Sequence, residues 1–505
     1  MNVGPPFGRP WRALGAPLPA ILAGAVLPLA FSPVAQGWLA PLALAWLFGS
    51  WWHARPRQAL LRGWLFGLGM FGAGVSWVHV SLGGPGGVAP PLAFLMTAVM
   101  VAVLALFPGL AGALATRMTP PGGWRAGAAV PAAWVLTEWV RGWFLSGFPW
   151  LSVGYSQTDG WLGAWAPLAG VYGVGWLVAL AAAALVLALR APRQLWLPGA
   201  VAAAWLAGPW LDGLAWSQPA GQPLRAALIQ GNIPQEQKWD AAFRDRIEAR
   251  YRALTGDALG QDLVVWPEAA VPDLYADARE RFLRPLAAEL REAGTDLLFG
   301  VLVRDAADGR YYNALARLDD PPDFYYKRRL VPFGEYIPAE SWLGAALTLL
   351  EIPFSSFTPG PARPPPLMAA GHPVAPAICY EVAFGDALRV FLPRARFLVA
   401  VSNNAWFGDS GAAEQMQQMA RMRAREFSRW VLSATNDGVT AVVDHHGRTV
   451  ARLPRFRAGV LEAAVEPRRG ETPYAALGDA PVVVLAVLVL GLGGIAARRG
   501  VRAPG

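Results

Sequence analysis

Lysine is nearly missing from this chain. Of its 43 lysines and arginines only two, Lys238 and Lys327, are lysine. A sequence that uses arginine for plain positive charge keeps a lysine either by chance or because a compact ammonium is needed where a planar fork would not serve. Cysteine occurs once, at Cys379, which excludes an intramolecular disulfide. Charge is scarce as well: 15% of residues are charged and 54% hydrophobic, whereas soluble globular chains carry about 25% charged residues. The net charge of +8 would point to nucleic acid in a soluble protein. Here the arginines flank apolar runs, the pattern of membrane-flanking charge, and no nucleic-acid partner is expected. Histidine is equally sparse. His445 and His446 are adjacent, with no further ligand at metal-binding spacing, so they read as a surface turn and no metal is expected.

What is abundant is apolar sequence in runs. They cover residues 16–31, 38–52, 63–80, 90–115, 126–145, 162–189 and 195–211, with an eighth at 480–496. A bilayer core needs about 20 apolar residues, and the first two runs are short for that. The gaps alternate in charge. Arg9 and Arg12 precede the first run, Arg55, Arg57 and Arg62 lie between the second and third, and Arg117 and Arg125 between the fourth and fifth. Arg190 and Arg193 follow the sixth, and Arg498, Arg499 and Arg502 end the chain, while the remaining gaps before residue 212 hold only Asp159. Arginine accumulates on the cytoplasmic side, so eight spans with both termini cytoplasmic are expected. Residues 1–212 then form a membrane domain of seven helices, 213–479 an extracytoplasmic domain, and 480–505 a last helix with a short tail. A cleaved signal peptide is the other reading of the first run. Glu138 and Arg141, three residues apart in the fifth run, read either as an ion pair on one helix face or as substrate contacts.

Segment 213–479 holds most of the acidic residues and alternates strand-like and helix-like stretches. Strands are predicted at 225–230, 262–266, 297–303, 374–378, 397–402, 439–444 and 460–465, and helices at 241–259, 279–293 and 412–429. Such alternation indicates an α/β domain with a largely buried sheet. The only low-complexity tract is the loop 359–366.

Three residues in it stand out chemically. Cys379 ends a predicted strand and reads as a nucleophile held at a strand end or as a buried small hydrophobe. Glu268 follows a strand stopped by Pro267 and reads as a general base or a solvated carboxylate. Lys327 reads as an oxyanion donor or a snorkelling lysine. Together a thiol, a carboxylate and an ammonium supply what acyl transfer requires: nucleophile, base and oxyanion stabiliser.

Several segments carry a resemblance. Trp266-Pro267-Glu268, Tyr326-Lys327 through Pro332-Phe333-Gly334-Glu335, and Ile378-Cys379-Tyr380-Glu381 are similar to the Glu, Lys and Cys motifs of the nitrilase superfamily. The stretches 230–234 with Lys238-Trp239, 402–409, 418–424, 435–440 and, in the membrane part, 146–151 with Gly154-Tyr155 resemble the membrane branch of that superfamily, the apolipoprotein N-acyltransferases.

The resemblance implies a multi-pass helical membrane domain of eight helices carrying an α/β nitrilase-like, four-layer α-β-β-α sandwich. It implies acyl transfer, without a cofactor, from a phospholipid donor to the N-terminal amine of a diacylglyceryl-cysteine lipoprotein, through a thioester. The setting it implies is a bacterial inner membrane, and the chain is expected to be a monomer. It makes Glu268 the base, Lys327 the oxyanion stabiliser and Cys379 the nucleophile, with Glu335, Tyr380, Glu381 and Trp239 supporting or binding substrate. The chain departs from the pattern at Glu414 and Met416, where histidines are expected.

Segment 341–350, apolar around most of its circumference, reads as a lid on the bilayer or as a packed element. Two other functions stay open: a membrane-tethered amidase with the same three residues, and a transporter with an inert outer domain, for which the runs offer few paired charges beyond Glu138 and Arg141.

Overall fold

The computed structural model describes residues 17–119, 124–191, 196–336 and 356–502, so the segment 341–350 lies outside the described residues. The chain divides into two compact units. One comprises residues 1–78, 94–214 and 477–505, and the other 79–93 with 215–476.

The first unit is helical, and among the described residues each apolar run is mostly helix. The segments are Pro17–Val26 with a 3-10 turn Leu27–Ala30, Leu39–Trp51, Pro56–Gly74, Pro90–Leu104 with Leu106–Met118, Trp124–Arg141, Ala166–Arg190, Trp196–Asp212 and Ala480–Arg502. Two continuous spans, Pro90–Met118 and Trp161–Arg190, are long and apolar enough to cross a membrane. The third run is displaced from its expected limits. Its helix starts at Pro56 because proline suits the first helical position and the Gln58 side chain accepts the Arg55 N–H at 3.0 Å. Arg57 and Arg62, expected in the connecting loop, are therefore helical.

Small residues let these helices meet at backbone distance. A Cβ on Gly24 would fall 1.9 Å from the Phe66 carbonyl oxygen, and one on Gly69 equally close to that of Ile21. Glu138 and Arg141 are buried and 3.8 Å apart. Arg141 donates to the carbonyls of Phe148 and Trp150 and to Ser152 Oγ, while Glu138 Oε1 accepts the Val153 N–H at 3.0 Å. The two form the ion pair expected on one helix face, and together they also fasten the loop 148–153 to that helix.

The second unit contains two six-stranded sheets. In chain order the strands are β1 Leu224–Gln230, β2 Leu263–Val265, β3 Asp296–Arg304, β4 Tyr311–Arg317, β5 Asp323–Tyr326, β6 Leu367–Ala369, β7 His372–Ile378, β8 Phe397–Ser402, β9 Val431–Thr435, β10 Ala441–Val443, β11 Thr449–Arg452 and β12 Gly459–Val465. One sheet runs β12-β1-β2-β3-β4-β5 and the other β11-β10-β9-β8-β7-β6. The inner trios β1-β2-β3 and β7-β8-β9 are parallel, and the outer pairs are antiparallel. β1 and β9 bring the sheets face to face.

Helices cover the outer faces. Ile247 and Tyr251 of Arg244–Gly256, with Leu286 and Leu290 of Arg284–Ala293, pack with Val264, Trp266 and Phe299 in one apolar core. Ala412–Phe427 covers β9 of the other sheet. This is the expected four-layer α-β-β-α order.

Every strand expected from the sequence is present, but β4, β5, β6, β9 and β11 were not anticipated. β9 falls between the helix expected at 412–429 and the strand expected at 439–444. That helix stops at Phe427 because Ser428 adopts a left-handed conformation, φ +48°, which ends helices.

Candidate active site

Parallel strands deliver their next residues to one edge of a sheet, where open α/β sheets bind ligands. β2 leads to Glu268, β7 to Cys379, β8 to Asn403 and β9 to Asn436 and Asp437. Lys327 follows β5, and its N–H donates to the Asn313 carbonyl of β4 at 2.8 Å, so it forms the last rung of that ladder.

Each turn is locally demanding. Pro267 stops the β2 ladder. The turn carrying Glu268 then lies so close to Gly300 that a Cβ there would sit 2.4 Å from the Pro267 oxygen and 2.6 Å from the Glu268 Cα. Cys379 has φ +52°, a left-handed conformation costly for a residue with a side chain and frequent at functional sites. It begins a short 3-10 turn, Cys379–Ala383, directly after the strand.

The three residues converge. Lys327, 1% exposed, donates to Glu335 Oε1 at 2.7 Å and to Glu268 Oε1 at 3.3 Å. Asn313 Nδ2 joins the same two carboxylates, at 2.8 Å to Glu268 and 3.2 Å to Glu335. Glu268 Oε2 accepts the Asn403 N–H at 2.9 Å, and Glu335 Oε2 accepts the Val331 N–H at 2.8 Å. Cys379 is half-buried and feels the charges of both Glu268 and Lys327.

Electrostatics assigns protonation states to this set. Burial pushes the Glu268 carboxyl up, but Lys327, Asn313 and the Asn403 N–H outweigh it and hold the group below the usual glutamate range. Burial likewise opposes the Lys327 ammonium, yet Glu335 and Glu268 hold its pKa above the ordinary lysine value. Burial and the Glu268 charge push the Cys379 thiol up to about 12, against Lys327 and Ser402. At neutral pH the resting site is a carboxylate, an ammonium and a neutral thiol. It is suited to moving the thiol proton onto the carboxylate as the sulfur attacks.

Glu381 is 1% exposed and accepts from four groups: Tyr325 Oη at 2.8 Å, the Arg328 N–H at 2.8 Å, the Arg329 N–H at 3.1 Å and the Ile378 N–H at 2.9 Å. It ties the backbone after Lys327 to the backbone before Cys379. Glu381→Gln should therefore lower both Tm and turnover, because its amide NH2 meets buried donors. Each donor left unsatisfied costs about 1–3 kcal/mol. Unchanged Tm and turnover in the purified variant would contradict the clamp.

The Tyr380 ring is buried against Phe384, with centroids 4.9 Å apart. Trp239 is half-exposed and directly follows the short helix Gln235–Lys238. The two positions where histidines were expected are otherwise engaged. Glu414 pairs with Arg452 at 2.6 Å, and the Met416 sulfur accepts from Asn404 Nδ2 at 3.4 Å. Met416 lines a small cavity with Cys379, Ser402, Asn404, Gln417 and Thr435.

Residues that sequence reasoning did not place in the site are Asn313, Asn403 and Lys238. Asn403 is marked in the sequence only as part of the stretch 402–409. Asn313 carried no signal, since it lies in an unanticipated strand. Lys238 carried one, its rarity, which singles it out without naming its partner.

Comparison with known proteins agrees along the chain. The apolipoprotein N-acyltransferase N-terminal domain family matches residues 23–184 and the carbon-nitrogen hydrolase family matches residues 225–474. The apolipoprotein N-acyltransferase of Methylococcus capsulatus is 46% identical over 484 residues, covering 94% of this chain and 95% of that one. That of Azotobacter vinelandii is 41% identical over 505 residues, covering 96% of each. Among solved structures, a nitrilase-superfamily amidase from Nesterenkonia is similar at 19% identity and a TM-score of 0.39, covering 52% of this chain and 97% of its own. The chain belongs to the apolipoprotein N-acyltransferase family, acyltransferases that carry a carbon-nitrogen hydrolase domain.

Proposed function

We propose that the chain moves an acyl group from a membrane phospholipid to the N-terminal amine of a diacylglyceryl-cysteine lipoprotein, in two steps through a thioester on Cys379. The observation that carries this reading is the convergence of Glu268, Lys327 and Cys379 at one edge of the sandwich, in protonation states matched to acyl transfer.

Glu268 takes the thiol proton while the sulfur attacks the ester carbonyl. Lys327, with the Tyr380 N–H, stabilises the oxyanion. Collapse breaks the ester C–O bond, and the lysophospholipid oxygen leaves with the proton from Glu268. In the second step Glu268 takes a proton from the acceptor amine, whose nitrogen attacks the thioester carbonyl. The amide forms, and the departing sulfur recovers the proton. Glu335 and Asn313 hold Lys327 and Glu268 in register, and Trp239, exposed beside Lys238, contacts substrate. The chain acts as a monomer.

The membrane setting in this proposal is eight spanning helices, seven within 1–212 and one within 480–505, in a bacterial inner membrane. The domain 213–479 is extracytoplasmic and both termini are cytoplasmic. The alternating arginines support it, as do the apolar side chains exposed on the helices: Leu189 is 75% exposed, Leu206 70%, Trp210 67% and Leu492 67%. A membrane-impermeant maleimide should label Cys379 in cells with an intact inner membrane and a permeabilised outer barrier. Labelling only after the inner membrane is broken would place the domain on the other side.

A membrane-tethered amidase would use the same residues but give the acyl group to water. Incubation with acyl-labelled phospholipid and a diacylglyceryl lipopeptide separates the two. Label in an amide on the peptide supports transfer, and label only in free fatty acid supports hydrolysis.

A further inference from the structure

Lys238 is the chain's other lysine, and it is almost as buried as Lys327, at 2% exposure. It ends the short helix after β1, and its Nζ donates to the backbone carbonyl of Glu268 at 3.1 Å. That is the residue whose carboxylate meets Lys327.

The charges around this corner are few. Glu268 faces Lys327, Lys238 and the Cys379 thiol, with Glu335 behind Lys327. Lys238 faces Glu268 and Asp437, and Asp437 faces Arg455 and the Tyr251 phenol. Asp437 Oδ1 is buried with no hydrogen-bond partner. An ammonium kept this far from water beside the proposed base is hard to explain as surface charge, which this chain supplies with arginine.

We propose that Lys238 is a positioning residue for Glu268: it fixes the backbone of the turn and supplies a second positive charge that stays beside the carboxylate when Lys327 turns to the oxyanion. This rests on the reading of Glu268 as the base. Burial lowers the Lys238 pKa to about 8, against Glu268 and Asp437, so the charge is present at neutral pH and below.

The test uses the full-length enzyme in mixed phospholipid micelles, with Lys238→Met and Lys238→Gln. Glutamine keeps a donor for the Glu268 carbonyl but not the charge, and it serves if the methionine variant does not fold. The readouts are the pH profile of kcat/KM and the rate of Cys379 alkylation by iodoacetamide. The acidic limb reports Glu268 protonation. It should move to higher pH by about half a unit or more, with kcat down by about 10-fold or more and KM for phospholipid little changed. A limb that stays in place in a folded variant overturns the proposal, whatever happens to kcat. Glu268→Gln in the same assays separates the premises. If it keeps the wild-type limb, the reading of Glu268 fails. If it abolishes the limb and the Lys238 variants do not move it, only the role of Lys238 fails.

Discussion

Replacing Cys379 by alanine is expected to leave no transfer at all, and in the wild-type enzyme an acyl adduct should accumulate on Cys379 whenever phospholipid is supplied without acceptor. Both follow from the proposed two-step route. The first step cannot begin without sulfur, and the second has nothing to consume. Intact-mass measurement should show the adduct, and added lipopeptide should discharge it. Steady-state kinetics should be ping-pong. Glu268→Gln should slow both steps by about 100-fold or more, since general acid–base catalysis contributes about 10²–10⁴.

The protonation states add a pH expectation. With the thiol pushed up to about 12 and Glu268 held below its usual range, the reactive form is carboxylate plus neutral thiol across neutral pH. If Glu268 is the base, activity requires its ionised carboxylate, so it should be lost only as pH falls through the Glu268 value, which Lys327 and Asn313 hold below the usual glutamate range. An adduct that never forms, with rates that demand both substrates bound together, would favour direct transfer from lipid to amine.

Glu268 and Cys379 were legible in the sequence because each comes just after a strand whose apolar run is easy to read, whereas Lys327 follows the unanticipated β5 and was legible only through its rarity and its motif. Pro267 marks the end of β2, and Cys379 closes the run of β7. The helical segments were legible for the same reason, since long apolar runs have few other fates. Their limits were less so, because Pro56 starts a helix inside an arginine-rich segment that hydropathy assigns to a loop.

The network that fixes protonation was not legible. Asn313 lies on β4, a strand whose residues Tyr311–Arg317 mix polar and apolar types, and its link to both carboxylates exists only once the β3–β4–β5 ladder is formed. Glu381 belongs to a motif visible in the sequence, but its task, accepting from two chain segments about 50 residues apart, depends on tertiary structure. Lys238 shows the limit from the other side. Its rarity was visible at once, but not the carbonyl it would meet.

Lys327→Arg preserves the charge and should still be inactive, by about 10²–10³ in kcat, the loss typical of removing an oxyanion donor. The Lys327 ammonium sits between Glu335 Oε1 at 2.7 Å and Glu268 Oε1 at 3.3 Å, with 1% of the side chain exposed. A guanidinium is larger and planar, and its donors are fixed in a fork. It would prefer to grip the Glu335 and Glu268 carboxylates with paired hydrogen bonds. Gripped that way, Glu268 is drawn from the thiol and no side-chain donor remains aimed at the oxyanion. Positive charge alone would then keep Glu268 ionised without supporting turnover, so the variant separates electrostatic from geometric demands on this position. Cys379 alkylation in Lys327→Arg should keep its acidic limb at low pH while acyl transfer is lost. Near-normal turnover of the arginine variant would mean that charge near Glu268 is all the site asks of residue 327, and the oxyanion would have to be held by the backbone.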